Sequence, residues 1–282
     1  MAGDVGRADI DLGYITKPSE RLALERYDTV FCRALLDLLP SFAEPLTLLD
    51  LAAGDGLVAF AVAAKLAAGS RLMVLADESL SLERLHAYAT TALAPGLLGN
   101  TVFPRREDLT RLPFGSGVFD IVYACLPMGD LPEPRTVFAQ ALRVLRPGGL
   151  IALSVVLPQS LIELARAVAQ AELAEAGEHT AAIVSQRLAA RIQLPTLSDW
   201  QGLLSRAGAV DVVAREQRFD LVAEPDAHRD ELYSTRLVPL LLGTTHEHAT
   251  LARRLLKTAV RQPLTTTVSI GALSGRKPTA PQ

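Results

Sequence analysis

The chain has 282 residues, of which 49% are hydrophobic and 5% aromatic, and 28 Lys and Arg residues face 31 Asp and Glu residues, for a net charge of −3. A chain in which about half of the residues are hydrophobic can build a sizeable core, which excludes disorder for most of its length. The negative charge and the few aromatic residues argue against a nucleic-acid partner.

The cysteines and the N-terminal segment bear on the compartment. Two cysteines, Cys32 and Cys125, cannot form a disulfide framework or a structural zinc site, which favours a reducing cytoplasm. The N-terminal segment has no apolar core of a signal peptide, and the most apolar stretch, at 57–68, is too short to span a bilayer. We therefore expect a cytoplasmic protein without a membrane anchor.

The first half of the chain alternates between helical and strand patterns. A leading helix is predicted over 18–39, between Pro18 and Pro40. Five apolar runs follow at 46–52, 71–77, 101–108, 119–126 and 148–156, and helices over 57–67, 82–91 and 134–145 separate them. Strands that alternate with helices form parallel βαβ units, so an α/β fold with a doubly wound sheet is expected.

After residue 156 the regular alternation stops. Helices are predicted over 160–176, 180–192 and 198–207, then a strand over 210–216, helices over 228–241 and 246–260, and a last strand over 265–275. We interpret the chain as one domain with an N-terminal helical segment (1–40), an α/β core (41–157), a helical lid insertion (158–197) and a C-terminal part (198–282). The last part completes the sheet and holds a second helical insertion at about 217–264.

The two insertions are expected to cover a substrate at the carboxyl edge of the sheet. Their apolar side chains are available to line a pocket, although packing among the helices explains them equally well. These side chains are Leu161, Leu164, Val168, Ile183, Leu188, Leu237, Leu240 and Leu241.

Acidic residues stand where the first three strands end. Asp50 opens the loop DLAAGDG after the first strand, Asp77 ends the second, and Asp108 follows the third. Ligands of open α/β sheets bind beyond these carboxyl ends. Gly54 and Gly56 allow a ligand to approach the backbone where a helix begins and where free N–H groups favour negative charge. Together these features predict a nucleotide-like ligand.

The charge of Asp50 discriminates between two such ligands. The loop fits the dinucleotide fingerprint Gly54-x-Gly56-x-x-Ala59, with Asp77 about 20 residues further on. A pyrophosphate, however, would lie beside the Asp50 carboxylate and be repelled by it. S-adenosylmethionine has no phosphate and carries a sulfonium and an ammonium. Asp50 therefore favours the cationic nucleoside, and an NAD(P)-dependent oxidoreductase is the alternative.

The segments LLDLAAGDGLVAFAVA, LADES, REDLTRLPFGSGVFDIV and ALRVLRPGGLIAL resemble the successive motifs of class I S-adenosylmethionine-dependent methyltransferases. The resemblance covers about residues 46–156, and a weaker match of LSDWQGLLSRAGAVDVVAR and the closing strand extends it to the C-terminal part. It implies a Rossmann-like, mostly parallel seven-stranded sheet and S-adenosyl-L-methionine as cofactor of the 41–157 core. The implied activity is methyl transfer to a small, apolar or aromatic molecule.

The resemblance also implies which residues hold the cofactor. The loop from Asp50 to Gly56 would face the methionine part, and Asp77 would accept from the ribose hydroxyls. Asp108 would bind the adenine amino group, and the Leu109 N–H would bind the adenine ring. The end of the fourth strand would line the sulfonium. The residues assigned in this way are Asp50, Ala52, Gly54, Gly56, Asp77, Glu78, Asp108, Leu109 and Ala124.

Three positions depart from the family pattern. Ala52 replaces the first loop glycine and is expected to fit if its φ is negative. Gly129-Asp130 stands where many relatives carry His, and Gln140 stands where an acid precedes RVLRPGG. These departures speak against a mechanism based on histidine but not against cofactor binding.

No catalytic residue is assigned from the sequence. Asp130, Tyr123 and a lid histidine are alternatives for a general base, and Tyr27 is an alternative for a lid over the cofactor. No metal site is predicted, because His246 and His248 do not share a helix face and no further ligand completes them. A catalytically silent protein that binds S-adenosylmethionine or S-adenosylhomocysteine is the second alternative.

Overall fold

The computed structural model describes residues 30–53, 56–75, 101–126, 131–176, 194–223, 225 and 258–279. The helices predicted over 82–91, 180–192 and 228–241 and most of those over 18–39 and 246–260 lie outside the described residues. Five of the apolar side chains of the predicted insertions also lie outside the described residues: Ile183, Leu188, Leu237, Leu240 and Leu241. The same holds for Tyr27, Gly54, Asp77, Glu78, Asp130, His246 and His248.

A single sheet organises the described chain. Its strands are β1 (Thr47–Asp50), β2 (Arg71–Leu75), β3 (Thr101–Arg105), β4 (Phe119–Leu126), β5 (Leu145–Val156), β6 (Val210–Ala223) and β7 (Leu264–Arg276). The order across the sheet is β3-β2-β1-β4-β5-β7-β6, with seven strands. The first five pair in parallel, and β7 runs antiparallel between β5 and β6. The predicted doubly wound, mostly parallel seven-stranded sheet is therefore confirmed.

Five helices flank this sheet in the described residues: α1 (30–36), α2 (Leu57–Ala63), α3 (Pro134–Val144), α4 (Ile162–Ala176) and α5 (Leu197–Arg206). Local chemistry fixes several of their ends. Pro134 suits the first turn of α3, where a backbone N–H has no partner in any case. A reciprocal capping box between Thr196 and Asp199 starts α5. None of the described helices is long and apolar enough to cross a membrane.

Two hydrophobic layers lie on opposite faces of the sheet. Leu48 and Tyr123 belong to the layer that also contains residues of α1, α2 and α4. Their neighbours along the strands, Leu49 and Val122, belong to the layer that contains residues of α3 and α5. Consecutive strand residues point to opposite faces, so strands covered on both faces are apolar at nearly every position. This explains why the central strands appeared as continuous apolar runs in the sequence.

The C-terminal half corrects two of the predicted boundaries. Strand β6, predicted over 210–216, continues to Ala223 because its residues remain paired with β7, up to Ala223 opposite Leu264. The second insertion, predicted from 217, therefore begins no earlier than residue 224. In the predicted lid at 158–197, Leu161, Leu164 and Val168 are fully buried in the core layer on the α4 side of the sheet. Packing in the core therefore explains why these three side chains are apolar.

The fifth strand begins earlier than its predicted start at residue 148. Strand β5 begins at Leu145 and includes the two glycines, with an irregular register against β4 between Phe119 and Ile121. Gly148 has a φ of 73°, which residues with a side chain rarely adopt. A Cβ atom at Gly149 would lie 2.9 Å from the Arg146 carbonyl oxygen. The glycines therefore permit an irregular start of this strand.

Candidate functional site

Asp50 is the last residue of β1, and its carboxyl group is buried beneath the loop that follows. Its Oδ1 accepts a hydrogen bond from the Ala52 N–H at 3.0 Å. Its Oδ2 has no hydrogen-bond partner within the described part of the chain. Burial raises the pKa of Asp50 from 3.8 to about 7, against the opposing effect of the Ala52 N–H. A cationic ligand group at Oδ2 would relieve this cost.

Backbone hydrogen bonds hold the start of the loop between two strands. The Leu51 N–H donates to the Tyr123 carbonyl at 2.9 Å, and the Ala53 N–H donates to the Leu75 carbonyl at 3.1 Å. The non-glycine residues with positive φ are Glu133, Leu161 and Asp211, so Ala52 meets the condition under which it can replace glycine. The loop thus leaves β1 along a fixed path.

Gly56 connects this loop to α2 through a backbone conformation that favours glycine. Its φ is 88° and its ψ is 0°, and its N–H donates to the Ala53 carbonyl at 2.7 Å. Within the part of the chain that the structure describes, no side chain caps the N-terminus of α2. The first N–H groups of the helix have no partner inside it and are directed toward the loop. This end of the site can therefore receive an anionic group such as a carboxylate.

Asp108 follows β3 and caps the short 3₁₀ helix Leu109–Arg111. Its Oδ1 accepts from the Thr110 N–H at 2.8 Å and from the Thr110 hydroxyl at 2.6 Å. These hydrogen bonds hold the pKa of Asp108 below its usual range, so the exposed carboxylate stays charged. Both bonds end on Oδ1, which leaves Oδ2 available to accept from an amino group. The Leu109 N–H belongs to the first turn, where backbone donors lack helical partners.

Arg143, near the end of α3, fixes the segment that follows Asp108. Its guanidinium donates to the Phe114 carbonyl at 2.7 Å and to the Leu112 carbonyl at 2.7 Å. Gln140 Oε1 accepts from the Nε and Nη2 of the same group at 3.1 and 2.8 Å. Sequence reasoning used RVLRPGG only as a family marker and missed this role, although an Arg between the apolar residues Leu142 and Val144 was the signal.

Tyr123 of β4 lies directly beside Asp50 of β1, since the two residues are paired in the sheet register. Its side chain is fully buried. Burial raises the pKa of Tyr123 well above its ordinary value, and the neighbouring Asp50 carboxylate raises it further. A phenol in this position keeps its proton in the ordinary pH range. Tyr123 therefore does not act as the general base that the sequence left as an alternative.

The predicted cofactor residues that the structure describes follow the carboxyl edge of three adjacent strands. Asp50, Ala52 and Gly56 lie after β1, and Asp108 lies after β3, with the end of β2 between them. Neighbouring strands are about 4.8 Å apart, so β1 and β3 are separated by roughly 10 Å. An elongated ligand would be needed to contact both carboxylates.

Ala124 stands apart from the other predicted residues. Its side chain is buried in the layer on the α3 side of the sheet, opposite to the face of Tyr123. Its backbone lies one residue past the partner of Asp50, so any contact with a ligand would involve backbone atoms. Within the described residues, no three or more His, Cys, Asp or Glu side chains form a group that could hold a metal ion.

Comparison with protein families and curated proteins gives the following relatives. Residues 49–153 match the model of a methyltransferase domain. A malonyl-[acyl-carrier protein] O-methyltransferase of Hahella chejuensis is 43% identical over 60 residues, which are 21% of this chain and 22% of that protein. An enzyme of the same name from Xylella fastidiosa is 31% identical over 133 residues, 45% of this chain and 41% of that protein. The aligned regions thus span less than half of each relative.

Solved structures share the fold at low sequence identity. A geranyl diphosphate methyltransferase in complex with GPP and sinefungin has a TM-score of 0.52 and is 16% identical, with 91% of this chain and 81% of that chain covered. The [4+2]-cyclase SpnF has a TM-score of 0.52 and is 18% identical, with 92% and 82% covered. At such sequence identities the similarity shows the fold alone. The two structures are also named for different activities, a methyltransferase and a [4+2]-cyclase.

Proposed function

We propose that this chain, whose residues 49–153 match the model of a methyltransferase domain, is a class I enzyme that transfers the methyl group of S-adenosylmethionine to a small acceptor molecule. The buried Asp50 carboxyl carries this proposal, because its Oδ2 has no hydrogen-bond partner among the described residues and it stands at the start of the loop that leads to Gly56. It offers a place for a cation at the strand edge where a dinucleotide would bring phosphate. The ammonium of S-adenosylmethionine fits this place by charge, and the helix start beyond Gly56 fits its carboxylate.

The remaining contacts follow the order of strands along the edge. Asp108 and the Leu109 N–H would hold the adenine ring beyond β3, and Asp77 and Glu78 would hold the ribose beyond β2. Ala124 would contribute backbone atoms near the reacting sulfur. The residues proposed to bind the cofactor are Asp50, Ala52, Gly54, Gly56, Asp77, Glu78, Asp108, Leu109 and Ala124.

The bound cofactor supplies a methyl group already activated by its positive sulfur. The chain therefore contributes positioning of the two reactants and exclusion of water, which supply much of the rate of such a displacement. A general base is needed only where the acceptor loses a proton. We assign none, since Tyr123 keeps its own proton.

The acceptor is proposed to be small and apolar or aromatic, held under the helical segments of the C-terminal half. A second proposal comes from the two curated relatives, whose shared name points to the carboxylate of an acyl group on a carrier protein. A carboxylate is already an anion and needs no base for methyl transfer, in keeping with the buried, protonated Tyr123. We propose that the substrate is neither a nucleic acid nor a membrane. We also propose a cytoplasmic location, on the grounds of cysteine usage.

Cofactor binding is the first experiment. Isothermal titration calorimetry with S-adenosylmethionine, S-adenosylhomocysteine, NADH and NADPH is expected to give binding of the first two only. Asp50→Asn and Asp77→Ala should each weaken binding at least tenfold, since each removes a charge-assisted hydrogen bond. Asp220→Asn, the same change on the exposed strand β6, is the control and should bind as the wild type does. Binding of a nicotinamide alone would establish the oxidoreductase alternative.

Turnover is the second experiment. Radiolabelled methyl transfer from S-adenosylmethionine is measured with a panel of small aromatic and apolar acceptors and, separately, with malonyl-acyl carrier protein. Product with the carrier protein alone would favour the second acceptor class. Tight cofactor binding without product from any acceptor would favour a catalytically silent binding protein.

A further inference from the structure

Asp50 and Tyr123 form a buried polar pair inside an otherwise apolar layer. The register of β1 and β4 places them side by side, and adjacent strands lie about 4.8 Å apart. Both side chains are fully buried. The Tyr123 hydroxyl interacts with the Asp50 carboxyl, but neither this hydroxyl nor Asp50 Oδ2 has a hydrogen-bond partner among the described residues. Buried polar atoms in this condition are uncommon and call for a physical reason.

The surroundings of the pair favour the Tyr123 hydroxyl as the hydrogen-bond donor to the Asp50 carboxyl. Val74 is the register partner of Asp50 on β2, and α2 contributes apolar residues such as Val58 and Phe60 to the same layer. Among the described residues, the other titratable groups that act on Tyr123 are the thiols of Cys32, on α1, and Cys125, on β4. A negative charge on either thiol would oppose ionisation of its neighbours. A phenol, by contrast, can donate to a carboxylate without neutralising it.

We propose that Tyr123 is a positioning residue for Asp50, whose hydroxyl stabilises the ionised carboxylate and turns Oδ2 toward the ammonium group of the ligand. The inference rests on the proposed function and adds a residue to its machinery. A basic side chain beside Asp50, in place of the phenol, would neutralise the carboxylate to which the ammonium group of the ligand has to bind. A fully apolar neighbour would let the buried carboxyl take up a proton. The phenol avoids both outcomes, because it favours the ionised form of the carboxyl and brings no positive charge of its own.

The pair is tested first without any ligand. The carboxyl carbon of Asp50 is titrated by NMR in the wild type and in Tyr123→Phe, with Asp50→Asn to assign its resonance. The pKa of Asp50, about 7 in the wild type, should rise in Tyr123→Phe because a group that favours the ionised form is lost. Ser154→Ala is the matched control, since it removes another buried hydroxyl without a partner and should leave Asp50 unchanged.

The second measurement is the pH profile of S-adenosylhomocysteine binding. An increase of one unit in the pKa lowers the ionised fraction at pH 7 from about one half to about one tenth, and should lower the affinity roughly fivefold. At pH 9 the affinity of Tyr123→Phe should return close to that of the wild type. A role limited to packing would instead weaken binding equally at every pH.

The two measurements separate the possible failures. If Asp50 titrates at the same pH in Tyr123→Phe and wild type, the pairing is wrong even where the ligand binds. If the wild type binds no S-adenosyl ligand, the proposed function fails while the titration still decides the pairing. Should Tyr123→Phe not fold, 3-fluorotyrosine at position 123 replaces it. This more acidic phenol should lower the pKa of Asp50, and an unchanged titration would overturn the inference.

Discussion

Asp50 should make the fold less stable as the pH rises, and Asp50→Asn should remove that dependence. The carboxyl is fully buried, and its pKa is raised from 3.8 to about 7 in the folded chain. The folded state therefore binds a proton more tightly than the unfolded state does. Stability is lost as the pH increases from about 4 to about 7 and then levels off, because above that pH Asp50 is ionised in both states.

The size of this effect follows from the same two values. A difference of about three pKa units corresponds to about 4 kcal/mol, at 1.36 kcal/mol per unit. This is an upper limit, because water or a counterion that enters the site would reduce it. Relative to the wild type, Asp50→Asn should gain up to about 4 kcal/mol in the free energy of unfolding between pH 4 and pH 8, since asparagine does not ionise.

Urea denaturation followed by circular dichroism at four pH values from 4.5 to 8.5 measures this difference. Asp220→Asn on the exposed edge strand serves as the control and should follow the wild type at every pH. The same variant, Asp50→Asn, should lose cofactor affinity while it gains stability at pH 8. Parallel stability curves for wild type and Asp50→Asn would refute the argument that burial governs this carboxyl.

Three further variants probe the surroundings of the site. Arg143→Met leaves the Leu112 and Phe114 carbonyls without their hydrogen-bond donor. In calorimetry it should reduce discrimination between S-adenosylhomocysteine and its inosine analogue. Discrimination equal to that of the wild type would show that Arg143 does not support the segment proposed to bind adenine. Gly56→Ala places a side chain at a φ of 88°, which should cost about 1–3 kcal/mol in urea denaturation and weaken cofactor binding. Thr196→Ala removes the cap of α5 and should cost about 1 kcal/mol without a change in affinity; a weaker affinity would contradict its purely structural role.

The sequence predicted the fold class and the central strands well. Strand β4 has the predicted bounds, 119–126, because a run buried on both faces is apolar throughout. Residues 49–153 match the model of a methyltransferase domain, in agreement with the resemblance drawn from about residues 46–156. Strand β6 was underestimated, because its second half alternates charged and apolar residues and owes its extended form to β7, more than 40 residues away in sequence.

The sequence could predict the positions of some candidate residues but not all of their contacts. Asp50 and Asp108 could be placed at strand ends because the strand pattern itself determines where a strand stops. The roles of Tyr123 and Arg143 depend on contacts between distant segments, such as the pairing of β1 with β4. A single sequence contains the residues of such contacts but not their register, so it could not predict these roles.

The position of β7 has a consequence for how the chain folds during synthesis. β7 lies between β5 and β6 although it follows both in sequence. Until residues 264–276 emerge from the ribosome, neither β5 nor β6 can complete its hydrogen-bonded ladder on that side, and β6 has no strand to pair with. Unpaired strand edges attract other chains. A stalled or truncated product that ends before residue 264 should therefore aggregate or depend on chaperones, even with the loop after β1 already synthesised.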